Sequence, residues 1–383
     1  MTDDPPLNPA LLPGGLRDLL PPEAETEASA VEAVMAVFAA HGYQRVKPPL
    51  LEYEDSLLAG TGAAVAEQTF RLMDPDTHRM VGLRADMTPQ VARIAATRLG
   101  HAARPLRLSY AGQCLRVRGS QLAPDRQLAQ AGIELIGHDS PEADAEVVLV
   151  AAEALAALGL TQVSFDLTMP SFVQMLLDEA ELAAAAARSL SRALDRKDVA
   201  AVVEHGGRLA SVLTALLMAA GPASGALAAL AAAELTPGAR ALAGRLADTV
   251  AAIAARGPGL TLTVDPVEFR GFQYHTGVCS TVYAPGHHEE LGRGGRYVCG
   301  DAEPATGLTL YPDAVLRAAP TRSAQRRVYL PFTGSPAVAA ELRRNGYATV
   351  AGLAREADDA LAARRLNCDF VMLSDQLVAL APE

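Results

Sequence analysis

The chain reads as an α+β protein: an antiparallel sheet flanked by helices, with a helical insertion and a small C-terminal α/β module. Three patterns carry that expectation. Residues 105–118 and 126–137 are long segments of strand-like alternation around a polar loop, as in neighbouring antiparallel strands. From 171 to about 257 alanine and leucine dominate and strand formers thin out, which predicts helices. Beyond residue 326, short apolar runs alternate with helical patterns, so each strand can be buried by the helix that follows.

In chain order, Val31, Val34, Met35 and Phe38 have helical spacing, predicting a helix over 24–41 that ends at His41 and Gly42. Tyr43 to Leu51 reads as a strand, and its Pro48 and Pro49 place it at a sheet edge, where a dimer seam is expected. Residues 69–84 alternate around AspProAspThrHis, as a hairpin does. A helix then begins with Thr88 as its cap and Pro89 in its first turn, and runs to Arg98. A helix over 141–158 and a strand over 162–168 precede the insertion, which GlyProAlaSerGly at 221–225 interrupts. Strands resume at 260–264 and 272–283. The terminal unit is expected as strand 328–331, helix 336–345, strand 347–351, helix 355–365 and strand 369–373, docked on the larger domain. The expected domains are therefore 1–320 and 326–383.

Composition narrows the function. At 383 residues and 50% apolar side chains, there is material for more than one core. The net charge of −11, with no long Lys/Arg run, argues against a groove built on phosphate neutralisation, so no tRNA partner is expected. The first residues carry acids and prolines rather than a basic then apolar leader, and no long uncharged apolar stretch follows, which predicts a cytoplasmic chain without membrane contact. Cys114, Cys279, Cys299 and Cys368 are far apart and without CxxC spacing, so buried reduced thiols are expected. His287, His288, Glu289 and Glu290 resemble metal ligands but follow AlaProGly in a loop, with no second cluster at a ligand spacing; a solvated loop is the better reading. Neither metal nor cofactor is expected.

Holding a free amino acid takes a carboxylate for the ammonium group, an arginine for the carboxylate and groups matched to the side chain. Asp86, Thr88, Arg116, Gln130, Glu134, Arg270 and Tyr297 supply such chemistry. Asp86 and Thr88 serve equally well as a helix cap. Gln130, Gly132 and Glu134 share one face of a strand, turned either to solvent or to a pocket.

Five segments in order resemble the histidyl-tRNA synthetase catalytic domain: LPGGLRDLLPPE at 12–23, Gly42-Tyr43 with PPLLE ending at 52, LRADMT at 83–88, AGQCLRVRGSQLAPDRQLAQAGIE at 111–134, and the pair RGFQYHTG at 270–277 and GRGGRY at 292–297. The resemblance implies a class II synthetase-like antiparallel sheet of six or seven strands, dimerising near Pro49. It also implies a histidine pocket: Asp86, Thr88 and Gln130 at the ammonium end, Arg270 at the carboxylate, Glu134 with Tyr297 at the imidazole, and Arg116 where the synthetases contact the reacting carboxylate and phosphate.

Departures from that family's pattern point away from catalysis. The second motif reads Arg116-Val117-Arg118, so the carboxylate that accepts from adenine is replaced by a cation. The third motif, GLTLYPDAV at 307–315, has Ala314 in place of its arginine, and Arg317 follows three residues on, about 4.5 Å along a helix axis. Phosphoryl chemistry without these cations loses its main electrostatic support. Gln273, His275 and Val298 also differ from the family's histidine signatures, and His275 is expected to add a titratable group beside the ligand. No residue is assigned a catalytic role. A synthetase-like chain of this kind resembles the regulatory subunits of ATP phosphoribosyltransferase. That resemblance implies a short-form catalytic subunit as partner, a dimer of this chain within a hetero-octamer, and histidine as effector. A divergent histidyl-tRNA synthetase, or an enzyme activating another amino acid, is the alternative.

Overall fold

The computed structural model describes residues 10–119, 124–180, 182–268, 274–320, 325–374 and 376–381. It divides into two compact units, Met1–Pro320 and Thr321–Glu383.

Helix α1 (Glu23–Ala40) buries Val34, Met35 and Phe38 and ends at His41; Gly42 follows at φ +81°, the left-handed value that glycine favours. The strand expected over 43–51 is instead two, β1 (Gln44–Arg45) and β2 (Leu51–Tyr53), in different sheets. Pro48 and Pro49 lie in the break because proline has no N–H for a ladder. Their carbonyls accept from Arg84 Nη1 at 3.0 Å and Gln90 Nε2 at 2.8 Å. β1 is an edge strand of the main sheet.

After the short α2 (Glu54–Leu57), β3 (Arg71–Met73) and β4 (Met80–Leu83) form the expected hairpin and join β2 in a three-stranded sheet of order β2-β4-β3. Asp74 closes its turn, accepting from Thr77 Oγ1 at 2.6 Å and from the Asp76 N–H at 3.1 Å. Helix α3 (Thr88–Thr97) starts one residue earlier than expected. Thr88 is its first residue rather than its cap, and Asp86 Oδ1 accepts the Thr88 N–H at 2.8 Å in the capping role.

β5 (Leu106–Leu115) and β6 (Gln127–Ile136) pair antiparallel, with Tyr110 opposite Gly132. α4 (Pro141–Ala157) follows, capped by Ser140, whose side chain accepts from the Ala143 N–H. After β7 (Ser164–Thr168) come α5 (Pro170–Glu179), α6 (Ala184–Asp195), α7 (Val199–His205), α8 (Ala210–Met218), α9 (Ala223–Ala232) and α10 (Pro237–Arg256). This insertion is not wholly helical. At the expected break, Gly221–Pro222 form β8, a two-residue strand pairing with β9 (Thr261–Asp265). β10 (His275–Tyr283), β11 (Gly292–Cys299), β12 (Glu303–Leu310) and α11 (Pro312–Ala318) complete the unit.

The main sheet has nine strands in the order β1-β5-β6-β12-β11-β10-β7-β9-β8. Its middle six, β5 to β7, are antiparallel throughout, while β1 and β9 join as parallel neighbours. The sheet is therefore mixed, larger than the antiparallel six or seven strands implied by the resemblance. The parallel β7–β9 pair follows from its connection, because a parallel return needs a long crossover and the insertion's helices supply it. Alternation divides the two faces. Ala131, Ile133 and Leu135 of β6 pack into the large core with α1, α4, α5 and α10, while Ile136 joins Met87, Val91, Ala95, Tyr110 and Tyr297 under α3.

In the second unit, β13 (Arg327–Leu330), α12 (Pro336–Arg344), β14 (Ala348–Ala351), α13 (Asp359–Arg365) and β15 (Phe370–Leu373) follow the expected alternation. Helix α13 begins four residues late, at the point where Asp358 accepts the Ala360 and Leu361 N–H groups at 2.9 and 3.0 Å. A fourth strand, β16 (Gln376–Ala379), was not expected; it pairs antiparallel with β15 and gives the order β14-β13-β15-β16. No described helix is long and apolar enough to cross a membrane. Replacing the cap by Ser140→Ala should lower unfolding free energy by about 1 kcal/mol, read as a lower denaturant midpoint at unchanged slope.

Candidate functional site

The face of the main sheet beneath α3 gathers five of the seven candidate residues. Glu134 of β6 is 1% exposed. Its Oε1 accepts from Tyr110 at 3.1 Å and its Oε2 from Tyr297 at 2.9 Å. Tyr110 continues the network, lying 2.7 Å from Thr309 Oγ1 and 3.1 Å from Thr88 Oγ1. Two glycines make the space. A Cβ on Gly132 would come within 2.5 Å of Tyr110 Cζ, and one on Gly307 within 2.5 Å of Glu134 Cδ.

The other end is organised by Gln130. Its Oε1 accepts the Met87 N–H at 3.0 Å and its Nε2 donates to Asp86 Oδ2 at 3.3 Å. Asp86 thus has one oxygen on the start of α3 and the other on Gln130. The cap and the pocket wall are the same residue. Arg116 flanks this end, its Nε 3.5 Å from the Ala85 carbonyl. Arg270 lies outside the described residues, as does Gln273.

Electrostatics distinguish the two ends. Burial pushes the Glu134 carboxyl up to about 8 despite the hydroxyls of Tyr297, Thr88 and Tyr110 that favour its charge. Burial and the neighbouring acids Glu134 and Asp86 raise Tyr110 and Tyr274 well above the ordinary phenol value. His275 differs from expectation. Burial, with the Arg293 charge adding to it, pushes its imidazole down to about 3, so it is a neutral polar group near pH 7 and not a titrating one. Its ring stacks on Tyr274 at 4.2 Å, and Tyr274 meets Tyr297 edge-on at 6.0 Å.

The positions that would serve ATP are disposed otherwise. Arg118 is exposed beyond the end of β5. Ala314 is buried in α11 against the large core. Arg317 points outward and holds Glu289 Oε2 through Nε at 2.9 Å and Nη2 at 2.7 Å. Glu290 pairs with Arg293 at 2.6 Å, so both acids of the 287–290 loop hold arginines. Val298 is on the opposite face of β11 from Tyr297. The four cysteines are buried and unpaired with one another.

Behind the site, β11 is fixed from its other face. Arg296 is buried, with Nη2 2.8 Å from Asp144 Oδ1 and donating at 3.1 Å to the Ser140 carbonyl, while Nη1 donates to that of His138 at 3.1 Å. Arg245 of α10 reaches Asp139 at 2.7 Å and Asp144 at 3.3 Å, tying the insertion to the same point.

Sequence reasoning missed Tyr110, Thr309, Tyr274, Tyr311 and Arg293 on the site face. The strand pattern held the signal for two: Tyr110 stands opposite Gly132, and Arg293 alternates with Tyr297 on β11. Glu134 also sets a pH test. Its unfolded carboxyl titrates near 4.5 and the folded one near 8, so the folded state holds the extra proton between them. The contribution to stability is full below the lower value and is lost as pH rises towards the upper. Relative to Glu134→Gln, which cannot ionise, the parent's melting temperature should fall steadily from pH 5 to 8; parallel curves would contradict the buried proton.

The histidyl-tRNA synthetase family model matches residues 15–315. The ATP phosphoribosyltransferase regulatory subunit of Paramagnetospirillum magneticum is 54% identical over 371 residues, 97% of this chain and 98% of that protein. That of Gluconobacter oxydans is 54% identical over 362 residues, 94% of this chain and 95% of the other. Among solved structures, an ATP phosphoribosyltransferase regulatory subunit/histidyl-tRNA synthetase from Bacillus halodurans superposes with TM-score 0.81 at 25% identity, covering 97% of this chain and 99% of that one. Histidyl-tRNA synthetase from Nostoc, at 16% identity and TM-score 0.76 over 95% and 91% of the two chains, shares the fold. The chain belongs to the histidyl-tRNA synthetase-like family and, within it, to the ATP phosphoribosyltransferase regulatory subunits.

Proposed function

We infer that this chain is the regulatory subunit of ATP phosphoribosyltransferase, a component of histidine biosynthesis that leaves catalysis to a separate subunit. One contrast within the site carries the reading. The amino-acid end is buried and hydrogen-bonded through Glu134, Tyr110, Tyr297, Gln130 and Asp86. The ATP end has an exposed cation at Arg118, a buried methyl at Ala314 and an Arg317 already engaged with Glu289. Such a site holds a ligand and activates nothing.

Within that reading, free histidine is the effector. Its imidazole meets Glu134 and Tyr297, its ammonium group Asp86, Gln130 and Thr88, and its carboxylate the arginines, Arg116 and Arg270 among them. The partner is a short-form catalytic subunit, and tRNA is not a ligand. Inhibition follows if histidine binds the inactive assembly more tightly than the active one. Mixing purified chain with a short-form catalytic subunit should give histidine-sensitive ATP phosphoribosyltransferase activity. Glu134→Ala should raise the half-inhibiting histidine concentration about 10- to 100-fold while the variant still melts cooperatively. Histidine-dependent pyrophosphate–ATP exchange by this chain alone would favour a divergent synthetase instead.

Self-association is assigned to the three-stranded sheet beside Pro49. Register places Tyr53 and Leu72 on either side of Val81 on one face, with Leu51 beside Leu83 on the same face. Leu51, Tyr53 and Leu72 are 42, 37 and 40% exposed, and Leu50 next to them 56%. A two-fold dimer through this face is the building block of the proposed hetero-octamer. The double variant Leu51→Asp, Leu72→Asp should run as a monomer in light scattering and activate the catalytic subunit poorly; an unchanged dimer mass would move the seam elsewhere.

A further inference from the structure

Two acids of the site face are accounted for by the cationic and imidazole ends of an amino acid, which leaves its carboxylate to be matched. Arg84 is close by but committed: its Nε donates to the Gln113 carbonyl at 2.8 Å and its Nη1 to that of Pro48 at 3.0 Å. Arg293 is differently placed. It stands opposite Thr309, Thr309 opposite Gly132, and Gly132 opposite Tyr110. Directly paired residues share a face, so Arg293 lies on the rung that carries the Thr309–Tyr110 hydrogen bond, two strands or about 10 Å from Gly132. The same alternation puts Tyr297 and Glu134 on this face and puts Arg116, six residues beyond Tyr110, at its other side. Tyr311 lies between the two arginines, and both charges act on its phenol.

We propose that Arg293 binds the α-carboxylate of the amino acid held in this site, with Arg116 flanking it across Tyr311. The inference rests on the amino-acid-sensing reading above and adds to it a cation that no sequence motif supplied. Glu290, 2.6 Å away, restrains the guanidinium from the loop side. That contact occupies Nη2 and leaves the planar fork able to meet a second oxyanion from the sheet side. His275 beside it is neutral, so it competes for neither charge.

The test is calorimetric titration of the full chain with histidine and with histidinamide, which lacks the carboxylate. The parent should prefer histidine. Arg293→Met should weaken histidine about 10- to 100-fold and leave histidinamide where it was, with Arg293→Lys recovering part of the loss. Glu290→Gln should keep the preference. Equal weakening of both ligands by Arg293→Met, no weakening of either, or the same lost preference in Glu290→Gln would overturn the assignment. If the parent binds histidine and Arg293→Met keeps the full preference, only Arg293 falls. A parent that takes neither ligand removes the amino-acid reading along with it.

Discussion

The contact on which the site depends is the Glu134 carboxyl, sealed between the hydroxyls of Tyr110 and Tyr297. A buried carboxyl without partners is strongly disfavoured, so the surrounding strands must deliver donors to both oxygens. Tyr110 comes from β5 and Tyr297 from β11, on opposite sides of the β6–β12 pair. The glycines at 132 and 307 are the necessary complement: a ring and a carboxyl fill the volume where side chains of β6 and β12 would stand. The pocket is therefore made by what two strands lack as much as by what their neighbours carry.

The same strand that presents Tyr297 also presents Arg296 to the opposite side. There the guanidinium is neutralised by Asp144 and saturated by the His138 and Ser140 carbonyls. A one-residue slip of β11 would put the arginine against Glu134 and the phenol into the carboxylate cluster. Pairing register is thus specified by charge on one side and by hydrogen bonding on the other. Arg245 extends the specification to α10, so the helical insertion is anchored to the strand that carries the site.

Much of the fold was legible because its signals are local. Alternation over 105–118 and 126–137 gave β5 and β6, and the alanine-rich run gave the helices from α5 to α10. What the residues could not show locally was decided by partners distant in sequence. Pro48 and Pro49 divided one expected strand into two, because their carbonyls are used by Arg84 and Gln90. The parallel β1 and β9 edges and the short β8 depend on pairings that no local period encodes. In the site, Asp86, Gln130, Glu134 and Tyr297 were readable from ordered motifs. Tyr110 and Thr309 were not, since a tyrosine and a threonine in strands are ordinary until register brings them together. His275 was misread for a related reason: its neutrality comes from burial, which a linear sequence does not display.

The proton on Glu134 gives the site a chemistry beyond shape. A cationic guest would favour the ionised carboxylate, so its entry would expel that proton to solvent, and the measured heat of association would vary with the ionisation enthalpy of the buffer. A neutral guest could accept the hydrogen bond and leave the proton count unchanged. The buried acid thus converts the charge state of whatever it holds into a number of protons exchanged.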